Sequence, residues 1–433
     1  MRQVVLAVSL VSTLTTTLNG CSFNASQHRA GLLPLLSTPS IGQSVSAVDN
    51  AVTLSAEEVE FLLSLDSSGQ LKGLAEQALV RDQADQAIVD RVEQARVLFS
   101  TQPEKFESDF FTAVQALPSP LRRRYLSSQA GILAQRKALL VEIARAYLLA
   151  RACAFREQTA TGVLQHRIDQ IDLTRGQFLN GTLLRDDLHQ SMVFLTQARL
   201  QSESARQRRI DAFKALHLLT GREPKGLALP FLLSGSHQPH PAWLSDLPSD
   251  RLLDRFDIQA AEKLLVTDHT AISVARASFF PSIRLSTSDG LASDNVHALF
   301  SNSSTTWSFA PRQPLGSQSG TGRATSLNQR TSISNYQKVI QRAFKDMADA
   351  LAERHALLQR IRSQSVLGEL ARGQLKDRLV QASDAISKLD KLAASIQVLQ
   401  TDQALGDTQL AIELNLLSLY KVLYGADASA IPS

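Results

Sequence analysis

Where proline is missing constrains this chain more than anything it contains. Fourteen prolines occur in 433 residues, yet none falls between Leu121 and Glu223, and none between Leu315 and Ile431. A proline inside a helix removes a backbone hydrogen bond and costs about 3 kcal/mol, so two very long stretches are free to be continuously helical. Between them, Pro224, Pro230, Pro239, Pro241, Pro248, Pro281, Pro311 and Pro314 mark loops and strand edges.

Inside the first stretch, apolar residues recur at helical spacing: Leu140, Ile143, Ala144 and Tyr147, then Ile168 and Ile171, then Leu184, Leu188, Met192 and Leu195. Asn180-Gly181 breaks the pattern where a reversal fits. The expected arms, 138–179 and 182–219, would each run roughly 55–65 Å at 1.5 Å per residue. The second stretch repeats the plan, with arms at 336–381 and 385–423. Each stretch closes on an aliphatic run and a glycine, Leu218-Leu219-Thr220-Gly221 and Val422-Leu423-Tyr424-Gly425, as a C-terminal glycine cap would require. The expectation is an internal duplication: one repeat at 51–223 holding the hairpin 138–219, a linker at 224–250, a second repeat at 251–425 holding the hairpin 336–423, and a tail at 426–433. Small residues such as Ala198, Ser202 and Ala205 make narrow seams suited to close coiled-coil contact. Arms of this length favour side-by-side assembly of copies; a monomeric bundle folded back on itself is the other reading.

Strand signals precede the second hairpin, within 282–315. Ile283 and Leu285 alternate with Arg284, Ser286 and Ser288, and Trp307 and Phe309 alternate with Thr306, Ser308 and Ala310. Period two with one apolar and one polar face fits a barrel wall between lipid and water, and equally a half-buried sheet. The first repeat offers less. Residues 97–120 are interrupted by Pro103, Glu104 and Lys105, and Phe110–Leu117 is the one convincing strand there. Two membrane strands need roughly 9–11 residues each, so a hairpin barely fits.

The 45 basic and 41 acidic residues nearly balance, which gives nucleic-acid binding no support. Arg122-Arg123-Arg124 reads as a solvated helix start. No run of 18 uninterrupted apolar residues exists, so no membrane-spanning helix is expected. At the N-terminus, Arg2 and a short, Ser/Thr-broken apolar run lead to Leu18-Asn19-Gly20-Cys21. This resembles a bacterial lipoprotein signal. The resemblance implies removal of residues 1–20, acylation of Cys21, an extended linker over 21–50 and, with Ser22 next, passage to the outer membrane. The alternative is an ordinary secretory peptide with a chance cysteine. Acyl chains contribute about 0.8 kcal/mol per buried methylene, so two or three anchor firmly. Cys153, the second of two cysteines, would then have no disulfide partner.

One ordered series of motifs goes further. Leu247-Pro248-Ser249-Asp250-Arg251-Leu252-Leu253 runs into Arg255-Phe256-Asp257-Ile258-Gln259-Ala260-Ala261-Glu262, and then come Ala275-Arg276-Ala277 and Phe279-Phe280-Pro281-Ser282-Ile283-Arg284-Leu285. Trp307-Ser308-Phe309-Ala310-Pro311, Pro314-Leu315, Tyr336, Ala343-Phe344, Asp346 and Ala350-Leu351 follow in order. The chain resembles a TolC-like outer-membrane factor, of the NodT-type efflux lipoprotein branch. That resemblance implies a mainly α protein with β: long coiled-coil hairpins forming a periplasmic barrel, plus an outer-membrane β-barrel completed by trimerisation. It implies passive conduction, with a periplasmic adaptor and an inner-membrane RND-type pump as partners and outer-membrane lipid as surroundings. Phe256 stands where the family has proline.

The same resemblance places a tunnel aperture at the second hairpin tip, in Leu389-Asp390-Lys391-Leu392-Ala393. Asp390 carries over, with Ile386 one turn earlier, while Ala393 replaces the family's arginine and Ala382 its turn glycine. Three copies of Asp390 would form a negative ring that favours cations. The other reading is a solvated carboxylate paired with Lys388 or Lys391. At the first tip, Phe178, Gly181 and Asp187-Leu188 follow the family order, and Gly181 supplies a turn conformation.

Nothing reads as a catalytic centre. Gln318 sits where a nucleophile elbow needs serine, Gly320-Thr321-Gly322 lacks the third glycine of a dinucleotide fingerprint, and His237 and His240 lack a third ligand. The expectation is no enzyme, no cofactor and no metal.

Overall fold

Two helical hairpins carry the architecture of the computed structural model, which describes residues 54–81, 85–99, 109–116, 118–221, 252–253, 255–267, 323–381 and 385–424. All of these lie in the larger of the two units into which the chain divides, 45–433. Among the described residues the elements are α1 (Ala56–Leu65), α2 (Gln70–Arg81), α3 (Asp85–Phe99), α4 (Asp109–Ala116), α5 (Ser119–Leu126), α6 (Gln129–Leu179), α7 (Arg185–Thr220), α8 (Phe256–Thr267), α9 (Arg323–Gln381) and α10 (Ala385–Tyr424). No helix among them is long and apolar enough to cross a membrane.

Local chemistry fixes where the helices start. Ser55 and Glu58 form a capping box on α1: Ser55 Oγ accepts from the Glu58 N–H at 3.2 Å, and Glu58 Oε2 accepts from the Ser55 N–H at 2.8 Å. The same Glu58 oxygen receives Arg136 Nη2 at 2.7 Å, which ties α1 to α6. Ser128 caps α6 by accepting from the Gly131 N–H at 3.1 Å. That cap starts α6 at Gln129, ahead of the expected 138, because Ala134 continues the buried face upstream. Helix α9 likewise begins at Arg323 rather than near Tyr336, just past Gly322.

α6 packs against α7 and α10, and α9 packs against α10 and α8. The first half of α6 is apolar around most of its circumference: Leu139, Leu140, Val141, Ile143, Ala144, Ala146, Tyr147, Leu148, Leu149 and Ala150 are all buried, with Glu142 and Arg145 the charged members of the span. A helix with so wide an apolar face belongs inside a core. Around it gather Phe61, Leu62, Phe99, Leu216, Tyr336, Leu417 and Tyr420, with the Phe61 and Tyr420 rings stacked at 3.9 Å. Farther along α7 the buried set thins to Ser191, Leu195 and Ala198.

One expectation is corrected. The segment 110–117, read as a strand, is helical over Asp109–Ala116. Phe110 and Val114 fit a two-residue period when taken alone, but Phe110, Phe111 and Val114 also share one face of a helix. All three are buried in the core, and the two phenyl rings meet edge to face at 5.2 Å. The other end of the expected strand region, 97–99, is the last turn of α3. The strand hairpin at 282–315, the linker at 224–250, Gly425 and Cys21 lie outside the described residues.

Candidate functional site

The most ordered polar site is built from the motif that opens the second repeat. Arg255 is fully buried, and its guanidinium grips Asp257 with two bonds, Nε to Oδ1 at 3.0 Å and Nη2 to Oδ2 at 2.8 Å. Nη1 donates to the Val422 carbonyl at 2.9 Å. Val422 lies in the last turn of α10, where a helix leaves its carbonyls without internal partners, so Arg255 closes that end. Asp257 Oδ1 also accepts from the Ile258 N–H at 2.9 Å, at the start of α8. Asp346 on α9 approaches Arg255 at 3.6 Å, and burial pushes its carboxyl up even though Arg255 pulls it down. A further bond runs from Tyr336 Oη to Glu262 Oε1 at 3.0 Å, both groups buried. The motif residues thus form a clamp that joins α8, α9 and the end of α10. Phe256 occupies the first helical position of α8, where a backbone N–H has no partner in any case. Phenylalanine in place of proline therefore leaves the helix start intact.

The tips hold the sequence-derived candidates. At the first, Gly181 takes φ +70°, its N–H donating to the Phe178 carbonyl at 3.0 Å and the Thr182 N–H reaching Gln177 O at 3.0 Å. This pair of bonds is the Schellman arrangement that ends a helix on a left-handed residue. Asp187 then accepts from the Leu184 N–H at 3.0 Å and starts α7. At the second tip, Asp390 is half exposed and pairs with Arg378 Nη1 at 3.0 Å, across the turn rather than with Lys388 or Lys391. The sequence offers no local sign of this pairing, because Arg378 belongs to the other arm. Ile386 stands in the first turn of α10, and its side chain lies outside the described residues.

Between the tips and the core, α6 and α10 join the two hairpins. Arg156 Nε meets Asp407 Oδ1 at 2.8 Å. Gly406 lies so close to Phe155 that a Cβ there would stand 2.8 Å from the ring, while a Cβ on Gly162 would meet a Leu399 methyl at 3.0 Å. A groove of about 580 Å³ opens beside this crossing, lined by Arg156, Arg208, Gln201, Gln403, Asp407 and the buried thiol of Cys153. No group of metal-binding side chains occurs among the described residues.

Comparison with known proteins agrees with this geometry. The family model "Outer membrane efflux protein" matches residues 247–423, from the clamp motif to the end of α10. The cation efflux system protein CusC of Escherichia coli (strain K12) is 30% identical over 328 residues, covering 74% of this chain and 71% of that protein. The solvent efflux pump outer membrane protein SrpC of Pseudomonas putida is 29% identical over 333 residues, covering 74% and 69%. Among solved structures, CusC, described for conformational changes accompanying folding and transmembrane channel formation, superposes with a TM-score of 0.68 at 29% identity, over 83% of this chain and 96% of that one. The open-state MtrE channel of Neisseria gonorrhoeae gives a TM-score of 0.50 at 25% identity, over 82% and 89%.

Proposed function

This chain belongs to the outer membrane efflux protein family, and we propose that three copies of it form the exit duct of a tripartite efflux system. It is an outer-membrane efflux component of the TolC/NodT type. In the proposed assembly, the hairpins α6–α7 and α9–α10 of three copies line a periplasmic tunnel. Strands drawn from 282–315 would contribute to a barrel, and acyl chains on Cys21 hold each copy to the membrane. A periplasmic adaptor and an inner-membrane RND-type pump deliver solute, and conduction is passive.

The observation that carries this reading is the superposition on nearly the whole length of CusC, over 96% of that chain. The exposed apolar residues of the arms support assembly: Met192, Val193 and Leu200 on α7, and Val366, Leu367 and Leu370 on α9, are all about half exposed or more in the single chain. Scattered exposed apolar residues are ordinary, but rows along two long helices suit coverage by neighbouring copies. Asp390 and Ile386 are proposed to ring the narrow end, with Arg378 holding each Asp390 within its own copy. The full-length protein in planar lipid bilayers should show discrete conductance steps. A folded trimer that stays silent overturns the reading.

The helicity of Asp109–Ala116 favours a second reading, an outer-membrane lipoprotein with a structural role and no pore. A cysteine placed at Phe309 separates the two. It should resist polar thiol reagents in lipid and react in the unfolded chain if it sits in a barrel wall. Ready labelling of Phe309→Cys in the native trimer favours the poreless reading.

A further inference from the structure

Where α6, α10 and the link between α1 and α2 meet, the core buries more charge than it can balance. Asp66 is buried, and three donors reach it: the Ser68 hydroxyl, 2.7 and 2.8 Å from the two carboxylate oxygens, the Ser68 N–H at 3.3 Å and the Leu71 N–H at 3.0 Å. Burial pushes that carboxyl up, but the bonds from Leu71 and Ser68 outweigh it and hold Asp66 below the ordinary carboxylate range. Asp66 is therefore the ionised member. Arg151, also buried, lies over the Tyr147 ring at 5.6 Å, and Tyr147 Oη approaches Gln70 Oε1 at 3.4 Å. Glu413 reaches into the same region from α10, only 2% exposed. Its Oε1 accepts from Gln409 Nε2 at 3.3 Å, and its Oε2 has no hydrogen-bond partner among the described residues.

Two carboxylates and one guanidinium in a desolvated space leave one negative charge over, and a buried unbalanced charge is costly enough that the group takes up a proton instead. Glu413 has the poorer hydrogen bonding, so the proton belongs there. We propose that Glu413 is a proton-responsive pin at the junction of the two hairpins: neutral, it lets α10 seat against α6, and ionised, it loosens that seat.

The electrostatics agree. Burial raises the Glu413 carboxyl from 4.5 to about 7, with Asp66 pushing the same way and Arg151 and Gln409 pulling back. Its proton affinity in the folded chain is then on the order of 300-fold above that of an ordinary glutamate. The charges acting on Glu413 come from α6 and the α1–α2 link. Helix α9 packs on the opposite side of α10, where Glu353 receives Asn415 Nδ2 at 3.2 Å and Arg354 is buried; Asn415 stands roughly 200° around the helix from Glu413. A folded-state value above the unfolded one means that the seat is firm below the ordinary carboxylate range and weakens as pH rises through about 7. The inference concerns the fold of one copy and holds whether or not the assembly conducts.

Infrared difference spectra of the full-length protein test it, recorded from the ordinary carboxylate range to well above neutrality. A protonated-carboxyl band should disappear with a midpoint of about 7 and be missing from Glu413→Gln. Asp66→Asn, which keeps a side chain able to accept the Leu71 bond, should move that midpoint toward acid. Amide exchange then reads the loosening: above neutrality the seam amides of α6 and α10 should exchange ~10-fold or more faster in the native chain than in Glu413→Gln, and at equal rates in acid. A band that survives in Glu413→Gln, a midpoint in the ordinary carboxylate range, no response to Asp66→Asn, or a pH-independent exchange ratio each overturns the proposal.

Discussion

The two hairpin tips solve the same problem with different chemistry. The first turn, between α6 and α7, is written into the backbone: Gly181 at φ +70° and two short main-chain bonds close it, and Asp187 restarts the chain. The second, between α9 and α10, has Ala382 where the first has its glycine region, and the bond described across it is the half-exposed Arg378–Asp390 pair. Backbone closure is insensitive to salt and nearly fixed in geometry. An exposed ion pair contributes only about 0–1 kcal/mol and is screened. The bonds of the first tip are therefore fixed, the ion pair at the second is adjustable by salt, and the proposed aperture sits beside that pair.

Their bases differ as well, and breaking that difference gives the largest expected effect. Both hairpins are seated in the apolar core, and the second alone carries the Arg255 clamp at its base. Arg255→Met would leave Asp257 buried without its cation and Val422 O without its donor. Removing one partner of a buried pair costs about 3–5 kcal/mol. Denaturant unfolding should show a loss of that size. Hydrogen exchange should place it in α8, α9 and α10 before α6 and α7; equal loosening of both hairpins would remove the distinction.

The crossing of α6 and α10 sharpens the comparison at smaller scale. Alanine in place of a helical glycine gains about 1 kcal/mol of propensity. At Gly406 the added methyl would stand 2.8 Å from the buried, rigid Phe155 ring, and overpacking costs about 1–3 kcal/mol. At Gly162 the obstacle is a Leu399 methyl at 3.0 Å, the end of a side chain that can rotate. Gly406→Ala should lower the unfolding midpoint, and Gly162→Ala should leave it level or raise it. The opposite order would mean that the ring, not the methyl, yields.

These asymmetries mark how far the sequence can be read. The missing prolines are enough to place both hairpins, since helix continuity is a local property. Helix starts are less legible: Ser128 caps α6, and it does not stand out among similar residues. At Asp109–Ala116, Phe110 and Val114 fit a strand period and a helical one alike, and only the core, which also receives Phe111, selects the helix. The Arg255–Asp257 pair is visible as a motif, but its grip on Val422 is not, because that contact spans more than 160 residues. Asp390 is legible and its partner is not, for the same reason: neighbours along the helix are evident in sequence, whereas a cation on the facing arm is hidden.

Gly181→Ala tests the fixed tip. An L-residue forced into the left-handed region costs about 1–2 kcal/mol, and nothing within 4 Å of the new methyl adds to it. The loss should be the same at low and high salt, since no charge takes part.

Arg378→Gln is the matching change at the adjustable tip, with the smallest expected effect: at most about 1 kcal/mol, vanishing near molar salt where the screening length falls to about 3 Å. Its value lies in what it uncouples. With Arg378 neutralised, Asp390 keeps its charge and loses its tether, so three unpaired carboxylates would face one another in the proposed trimer. Conductance at low salt should then rise and become more cation-selective, while the unfolding midpoint barely moves. Asp390→Asn should raise conductance without the gain in selectivity. If the two substitutions gave the same selectivity, the carboxylate would not face the path, and the ion pair would only fasten the turn.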